Sequence, residues 1–145
     1  MYDHLLVATD GGKRASLAVD HAIELATGLE ASLTFLMVVD VRPVYSRYGL
    51  AALPTEDEIV HEQNRANSIL NQAVDEATDR DLEVETRVTR GTPHLVITEL
   101  GAQIGADAIV IGRPRRRTLS RMIGVSTADR VVRNAECTVI VVRGE

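Results

Sequence analysis

Short, uninterrupted apolar runs alternate along this chain with longer segments in which apolar residues recur at helical spacing. Continuous hydrophobicity is typical of strands that are buried on both faces of a parallel sheet. The segment 82–88 instead alternates apolar and charged residues, which predicts a half-exposed strand at a sheet edge. The continuous runs predicted as strands are Leu5–Ala8, Ala31–Val39, Asp107–Ile111 and Thr138–Val142.

The segments between these strands carry start and stop signals of helices. Strands that alternate with helices predict an α/β fold, a single open parallel sheet of five strands with right-handed crossovers. The chain is short enough to form one domain over residues 1–145. The helix signals are Gly28 as a stop, Thr55 with Glu58 as a capping box, Thr92 with Pro93 as a start, and Ser126–Asn134 as a final helix.

Composition narrows the class of protein. Hydrophobic residues make up 45% and charged residues 26% of the chain, as in ordinary globular proteins. The net charge of −5 does not favour nucleic-acid binding, and no apolar run reaches the length of a membrane span, so we expect a cytoplasmic protein. The single cysteine, Cys137, excludes an internal disulfide and is expected to be a buried structural thiol. The four scattered histidines, among them His94, are expected to be satisfied or surface residues.

An arginine-rich segment follows the fourth predicted strand. The apolar run ends at Gly112, arginines at 113, 115, 116, 117 and 121 follow, and Ser126 and Thr127 open the last predicted helix. Backbone N–H groups at a helix start attract anions, and arginine forks match phosphate oxygens. This pattern predicts a phosphate site; the alternative is a solvated basic loop.

A second polar turn, Thr9-Asp10-Gly11, follows the first predicted strand. Open parallel sheets bind ligands beyond the carboxyl ends of their strands, where the strand order reverses. Asp10 could there accept a hydrogen bond from a ribose hydroxyl or an adenine amino group, or hold a magnesium ion. The alternative role of Asp10 is to cap the helix that begins near residue 13.

Three stretches of the chain form a recognisable set: ATDGG after the first strand, MVVD at the end of the second, and IVIGRPRRRTLSRMIGVSTADRVVRNAECTVIVV at residues 109–142. With these motifs the chain resembles a universal stress protein over essentially its whole length. The resemblance implies an adenine-nucleotide alpha-hydrolase-like fold with strand order 3-2-1-4-5 and helices on both faces. It also implies a homodimer in which the last strands, Thr138–Val142, pair across a two-fold axis.

Members of that family that bind ATP share a loop of glycine, two residues, glycine, nine residues, glycine, then serine or threonine. On this chain the pattern places Gly112 and Ser126 correctly but puts Arg115 and Val125 where glycines belong. Side chains there obstruct a close backbone approach to phosphate, although guanidinium groups can replace backbone donors. The nucleotide-binding residues that the resemblance implies are Ala8, Thr9, Asp10, Val38, Ile111, Gly112, Arg113, Arg115, Val125, Ser126 and Thr127.

The resulting hypothesis is a stress-response protein that binds ATP, with magnesium on Asp10, without rapid turnover. The sequence shows no residue that is clearly placed as a general base next to a nucleophile, so we expect at most slow hydrolysis of ATP. The first alternative is a homodimer that binds no nucleotide and acts through contacts with a protein partner. The second is an enzyme that transfers phosphate or hydrolyses ATP. Neither a membrane nor a nucleic acid is an expected partner.

Overall fold

The computed structural model describes residues 1–45, 48–49, 51–113 and 127–143. Helices and strands alternate along the chain, as the hydrophobic pattern predicts. The elements are β1 (His4–Ala8), α1 (Lys13–Leu29), β2 (Ser32–Asp40), β3 (Val44–Tyr45), β4 (Ala51–Ala52), α2 (Glu56–Thr78), β5 (Val84–Gly91), α3 (Pro93–Gln103), β6 (Ala108–Arg113), α4 (Thr127–Asn134) and β7 (Thr138–Arg143).

Five of the strands form one parallel sheet in the order β5-β2-β1-β6-β7. Counted without the two shortest strands, this is the order 3-2-1-4-5, so the predicted fold class is confirmed. The alternating strand β5 lies at an edge, as its pattern predicts. The segment after β2 contains the two-residue strands β3 and β4, which pair in antiparallel orientation.

Two apolar layers hold the sheet, one on each face. Side chains alternate between the faces, so Leu5 and Val7 of β1 belong to the layer under α1 and α2. Leu6 and Ala8 belong to the layer under α3 and α4. A strand covered on both faces needs apolar residues at every position, which explains the continuous hydrophobic run of β1.

Local signals locate most helix ends. The Thr55 hydroxyl accepts a hydrogen bond from the Glu58 N–H at 3.2 Å, which confirms the predicted start of α2. Thr92 occupies the N-cap of α3 with Pro93 following, although its side chain makes no capping bond. The predicted stop at Gly28 is wrong, because α1 continues to Leu29 and the left-handed residue is Glu30, with φ 56°. The chain reverses there because the Ala31 N–H bonds to the Ala26 carbonyl as β2 begins.

None of the described helices is both long enough and apolar enough to cross a membrane.

Candidate functional site

The carboxyl ends of three neighbouring strands meet at the centre of the sheet. Ala8 of β1 lies in register with Leu36 of β2 and with Ile111 of β6. Ala8 and Ile111 are buried, and Val38, further along β2, is half-buried. All three pack into the layer under α3 and α4. These predicted site residues therefore form a continuous apolar floor at the edge where an open parallel sheet binds its ligands.

The turn from β1 to α1 borders this floor and is held by its own side chains. The Thr9 N–H donates to the Leu36 carbonyl at 2.9 Å, which fixes the turn against β2. The Thr9 hydroxyl accepts from the Gly11 N–H at 3.2 Å, and the Asp10 Oδ1 accepts from the Gly12 N–H at 2.7 Å. Asp10 is exposed, so its carboxylate is accessible at the edge.

The alternative prediction for Asp10, that it caps the start of α1, is wrong. Gly12 occupies the N-cap position, and no side chain makes a capping hydrogen bond. Asp10 precedes the N-cap, and its side chain closes an aspartate-type turn by accepting from the Gly12 N–H, a conformation that aspartate favours. The residue shapes the turn and still presents its carboxylate to solvent.

Helix α2 packs directly against the same turn. Gly11 has a φ of 78°, a left-handed conformation that side chains disfavour. A Cβ atom at residue 11 would lie 2.5 Å from Ile69 Cδ1 and 3.3 Å from Arg65 Nη2. Glycine is therefore required here both by the backbone conformation and by the neighbouring helix.

The end of β6 and the start of α4 border the floor on the other side. Gly112 and Arg113 extend β6 in register with Val142 and Arg143 of β7. The Arg113 Nη2 lies 4.0 Å from Asp129 Oδ1 in the first turn of α4. Strand and helix therefore approach one another at this edge, with a cation and a helix start side by side.

Eight of the eleven predicted binding residues belong to the described parts of the chain and lie along this edge. The remaining three, Arg115, Val125 and Ser126, fall outside the described residues, as does most of the arginine-rich segment. Thr127 is the first residue of α4.

An ion pair that the sequence did not single out lies at the end of β2. The Arg42 guanidinium binds the Asp40 carboxylate with N–O distances of 2.6, 2.9 and 3.1 Å, and the Arg42 N–H adds a bond of 3.0 Å. Partial burial alone raises the pKa of Asp40, but the hydrogen bonds and charge of Arg42 outweigh burial and hold it below its ordinary value. Its sequence signal was an acidic and a basic residue two positions apart.

A histidine that the sequence set aside lies near this ion pair. His94 is in the first turn of α3, which follows directly on β5, and it is half-buried. Partial burial and, after it, the positive charges of Arg130 and Arg42 hold the pKa of His94 below its ordinary value. The charges of two arginines from separate parts of the chain thus act on His94 at the α3 and α4 side of the edge.

The remaining candidate side chains have structural partners. His4, at the opposite end of the sheet, bonds through Nδ1 to the Ser32 hydroxyl and through Nε2 to the Thr34 hydroxyl, the latter at 2.7 Å. The prediction that it is a satisfied histidine is confirmed. Cys137 is free and half-buried, and burial raises the pKa of its thiol, which disfavours the reactive thiolate.

Within the described ranges, no group of three or more His, Cys, Asp or Glu side chains is arranged to hold a metal ion. Magnesium on Asp10 therefore stays a prediction.

The fold defines a doubly wound α/β protein in which the strand order reverses at β1, where this edge lies. The family model described as the universal stress protein family matches residues 1–143. A Staphylococcus aureus (strain USA300) protein assigned to the same family is 34% identical over 146 residues, covering 99% of this chain and 86% of the relative. The chain belongs to the universal stress protein family.

Solved structures agree with this assignment. The universal stress protein UspA from Lactobacillus plantarum superposes with a TM-score of 0.81 at 26% identity, covering 98% of each chain. A universal stress protein in complex with cAMP superposes with a TM-score of 0.75 at 25% identity, covering 99% of this chain and 98% of that chain.

Proposed function

We propose that the protein binds an adenine nucleotide, ATP, at the carboxyl ends of β1 and β6 and holds it without rapid turnover. One observation carries this proposal. The apolar floor of Ala8, Val38 and Ile111 lies between the Asp10 turn on one side and the Arg113 end of β6 on the other. An apolar surface with a few convergent polar groups is the usual form of a small-molecule site.

Each side of the crevice suits a different part of the ligand. Val38 offers an apolar contact to the adenine ring, and the Asp10 carboxylate can accept a hydrogen bond from a ribose hydroxyl. Arg113 and the N–H groups at the start of α4 favour phosphate. Arg115 and Ser126 are proposed to complete the phosphate contacts, and magnesium bound with the nucleotide would find a carboxylate oxygen in Asp10.

Binding rather than catalysis is proposed because the described residues supply no evident catalytic pair. Asp10 is engaged by the Gly12 N–H, and Asp129 lies beside Arg113. A general base must reach the proton that it removes, within hydrogen-bond distance of the nucleophile. In the described ranges, the carboxylates of this edge are held by arginines or by the turn. The family relative with bound cAMP supports an adenine nucleotide as the class of ligand.

The test is isothermal titration of nucleotide-free protein with ATP, with and without magnesium. Wild type should bind one ATP per protomer. Asp10→Ala should weaken binding roughly tenfold to a hundredfold, because a hydrogen bond to a charged group contributes about 1.5–3 kcal/mol. The control is Asp20→Ala, which removes an exposed aspartate from the body of α1 and should leave the affinity unchanged.

Two results would reject this site. Folded wild-type protein that releases no heat with millimolar ATP would favour the alternative of a partner-binding protein without nucleotide. Equal affinity in Asp10→Ala and Asp20→Ala would place any nucleotide elsewhere on the molecule.

We also propose that the protein is a homodimer paired through β7. This strand is a sheet edge, and Val139, Ile140 and Val141 are apolar yet only half-buried within one chain. An exposed apolar edge strand is a template for pairing with another chain. Light scattering during gel filtration should give the mass of a dimer. Ile140→Lys should give a monomer, and an unchanged mass would exclude this edge as the interface.

A further inference from the structure

Three basic residues from separate parts of the chain, Arg42, His94 and Arg130, lie on the α3 and α4 side of the carboxyl edge. Asp40 at the end of β2 is in register with Gly91 at the end of β5, so the segments that follow these strands run side by side. Arg42 is on the first of these segments, and His94 is on the second, in the first turn of α3. Arg130 is in the first turn of α4, which packs against α3.

This cluster is adjacent to the apolar floor of the proposed nucleotide site. Val38 lies near the end of β2, shortly before Arg42, and Val96 follows His94 on α3. Both valines pack into the layer under α3 and α4. A Cβ atom added to Gly91 would lie 2.7 Å from Val96 Cγ2, which shows how closely α3 lies against the strand ends. His94 therefore lies at the same mouth of the sheet as the floor residues.

Within the described part of the chain, no carboxylate pairs with the ring of His94. Asp40 is held by Arg42, with contacts down to 2.6 Å, and Asp129 lies 4.0 Å from Arg113. The charges that act on His94 itself are those of Arg130 and Arg42. The charges of Arg130 and Arg42 would oppose an imidazolium here.

Burial, and after it the charges of Arg130 and Arg42, hold the pKa of His94 below its ordinary value, which favours the neutral ring. An anionic group that enters this corner opposes the arginine charges that act on His94. It offsets the guanidinium charges and offers an acceptor to a protonated ring. A nearby opposite charge favours the charged form of a titratable group, so binding and protonation of His94 are coupled.

We propose that His94 binds the anionic group of the nucleotide and takes up one proton as it does so. This inference rests on the proposed function, since the ligand is the ATP of the proposed site. Each ring nitrogen of the imidazolium donates a hydrogen bond, whereas the neutral ring has one donor and one acceptor. The proton comes from the buffer, and the affinity for the nucleotide rises as the pH falls.

The experiment measures how many protons the protein takes up when it binds ATP. Magnesium-free ATP is titrated into the full chain at pH 6.5, in two buffers with different ionisation enthalpies, and affinities are measured at pH 6 and pH 8. The comparison is between wild type and His94→Gln, which keeps a polar side chain but cannot titrate. Protonation changes of ATP itself enter both titrations equally, so the difference between the variants belongs to His94. His61→Gln is the control, since His61 is an exposed histidine on α2.

Wild type and His61→Gln should take up more protons than His94→Gln. Their preference for pH 6 over pH 8 should also exceed that of His94→Gln, by up to about tenfold for each unit by which the ligand raises the pKa of His94. ATP binding with the same proton count and pH dependence in His94→Gln would overturn this inference and leave the nucleotide site intact. Absence of ATP binding to wild type would overturn both.

A second measurement uses the wild-type protein alone, so its result does not depend on whether a variant folds. The imidazole resonances of wild-type protein are titrated with acid by NMR, with and without ATP. The ring of His94 should titrate at higher pH when ATP is present, while the ring of His61 should not move. An unshifted His94 titration at saturating ATP would contradict the inference.

Discussion

Gly11 provides the sharpest test of how the proposed site is built. A Cβ atom added there would have two separate energetic costs, one from the backbone conformation and one from the contact with α2. The change is Gly11→Ala, which adds a single methyl group to the turn that carries Asp10. The backbone there has a φ of 78°, and the new Cβ would lie 2.5 Å from Ile69 Cδ1. Ordinary contacts between carbon atoms are about 3.5–4.0 Å, so either the turn or α2 must move.

The two terms have different expected sizes. A left-handed conformation costs a side-chain-bearing residue about 1–2 kcal/mol. Forcing an extra methyl group into a packed contact costs about 1–3 kcal/mol more. Gly11→Ala should therefore lower the free energy of unfolding by roughly 2–5 kcal/mol. Two other glycines separate these terms. Gly105 has a φ of 65° and Gly28 has no positive φ, and a Cβ at either would meet nothing within 4 Å.

Gly105→Ala should thus cost only the backbone term, about 1–2 kcal/mol. Gly28→Ala, inside α1, should stabilise the protein by about 0.5–1 kcal/mol. Ile69→Val removes the Cδ1 atom that the new methyl group would strike. In the double variant Gly11→Ala with Ile69→Val, the loss should be smaller than the sum of the two single losses by about 1 kcal/mol or more.

Unfolding by urea, followed by far-UV circular dichroism at one fixed protomer concentration, measures all five variants. If Gly11→Ala is no more destabilised than Gly105→Ala, the contact with α2 is unimportant. If the double variant shows losses that simply add, Ile69 is not the obstacle. Either result would refute the argument that α2 dictates glycine at the turn. The double variant should also recover part of the ATP affinity that Gly11→Ala loses.

Two further predictions concern the other end of the sheet. Thr34→Val keeps the shape of a fully buried side chain but removes the hydroxyl bonded to His4. We therefore expect the free energy of unfolding in urea to fall by about 1 kcal/mol. The control, Thr89→Val on the exposed edge strand, should lower it by less than about 0.5 kcal/mol. Hydrogen bonds from the backbone N–H groups of Asp3 and His4 lower the pKa of Asp107. Its ionised form therefore stabilises the native state above about pH 4, and this contribution is lost as the pH falls further. Asp107→Asn should therefore lose less stability than wild type between pH 6 and pH 3; an equal loss would show that the carboxylate is not responsible.

Much of the fold follows from hydrophobic pattern alone. The continuous run of β1 predicts a central strand, and the alternation in β5 predicts an edge, and both are confirmed. The exact ends of the strands are harder to predict from the hydrophobic pattern. β6 continues past the apolar run to Arg113 because Arg143 of β7 is available to pair with it. β2 likewise extends to Asp40 because it pairs with Gly91. Such extensions depend on the neighbouring strand, which the local sequence does not contain.

The candidate site divides in the same way. Asp10 and Gly112 follow buried runs directly, so the rule for parallel sheets is enough to predict that they share one edge. The corner formed by Arg42, His94 and Arg130 has no such signal. Each of these residues lies in a segment whose own pattern is ordinary and polar, and they are far apart in the sequence. The arginine charges act on His94 only because β2 and β5 end level and α3 packs on α4.

The amino-acid sequence by itself determined the class of fold, the strand order implied by the family resemblance, and which strand ends carry polar turns. These properties depend on periodicity and on residues that are neighbours in the chain. Only the tertiary structure decided that α2 requires glycine at residue 11, that Asp10 closes a turn rather than capping α1, and that the charges of two arginines act on His94. Those facts arise from distances between separate elements, because packing and electrostatic interactions act through space rather than along the chain.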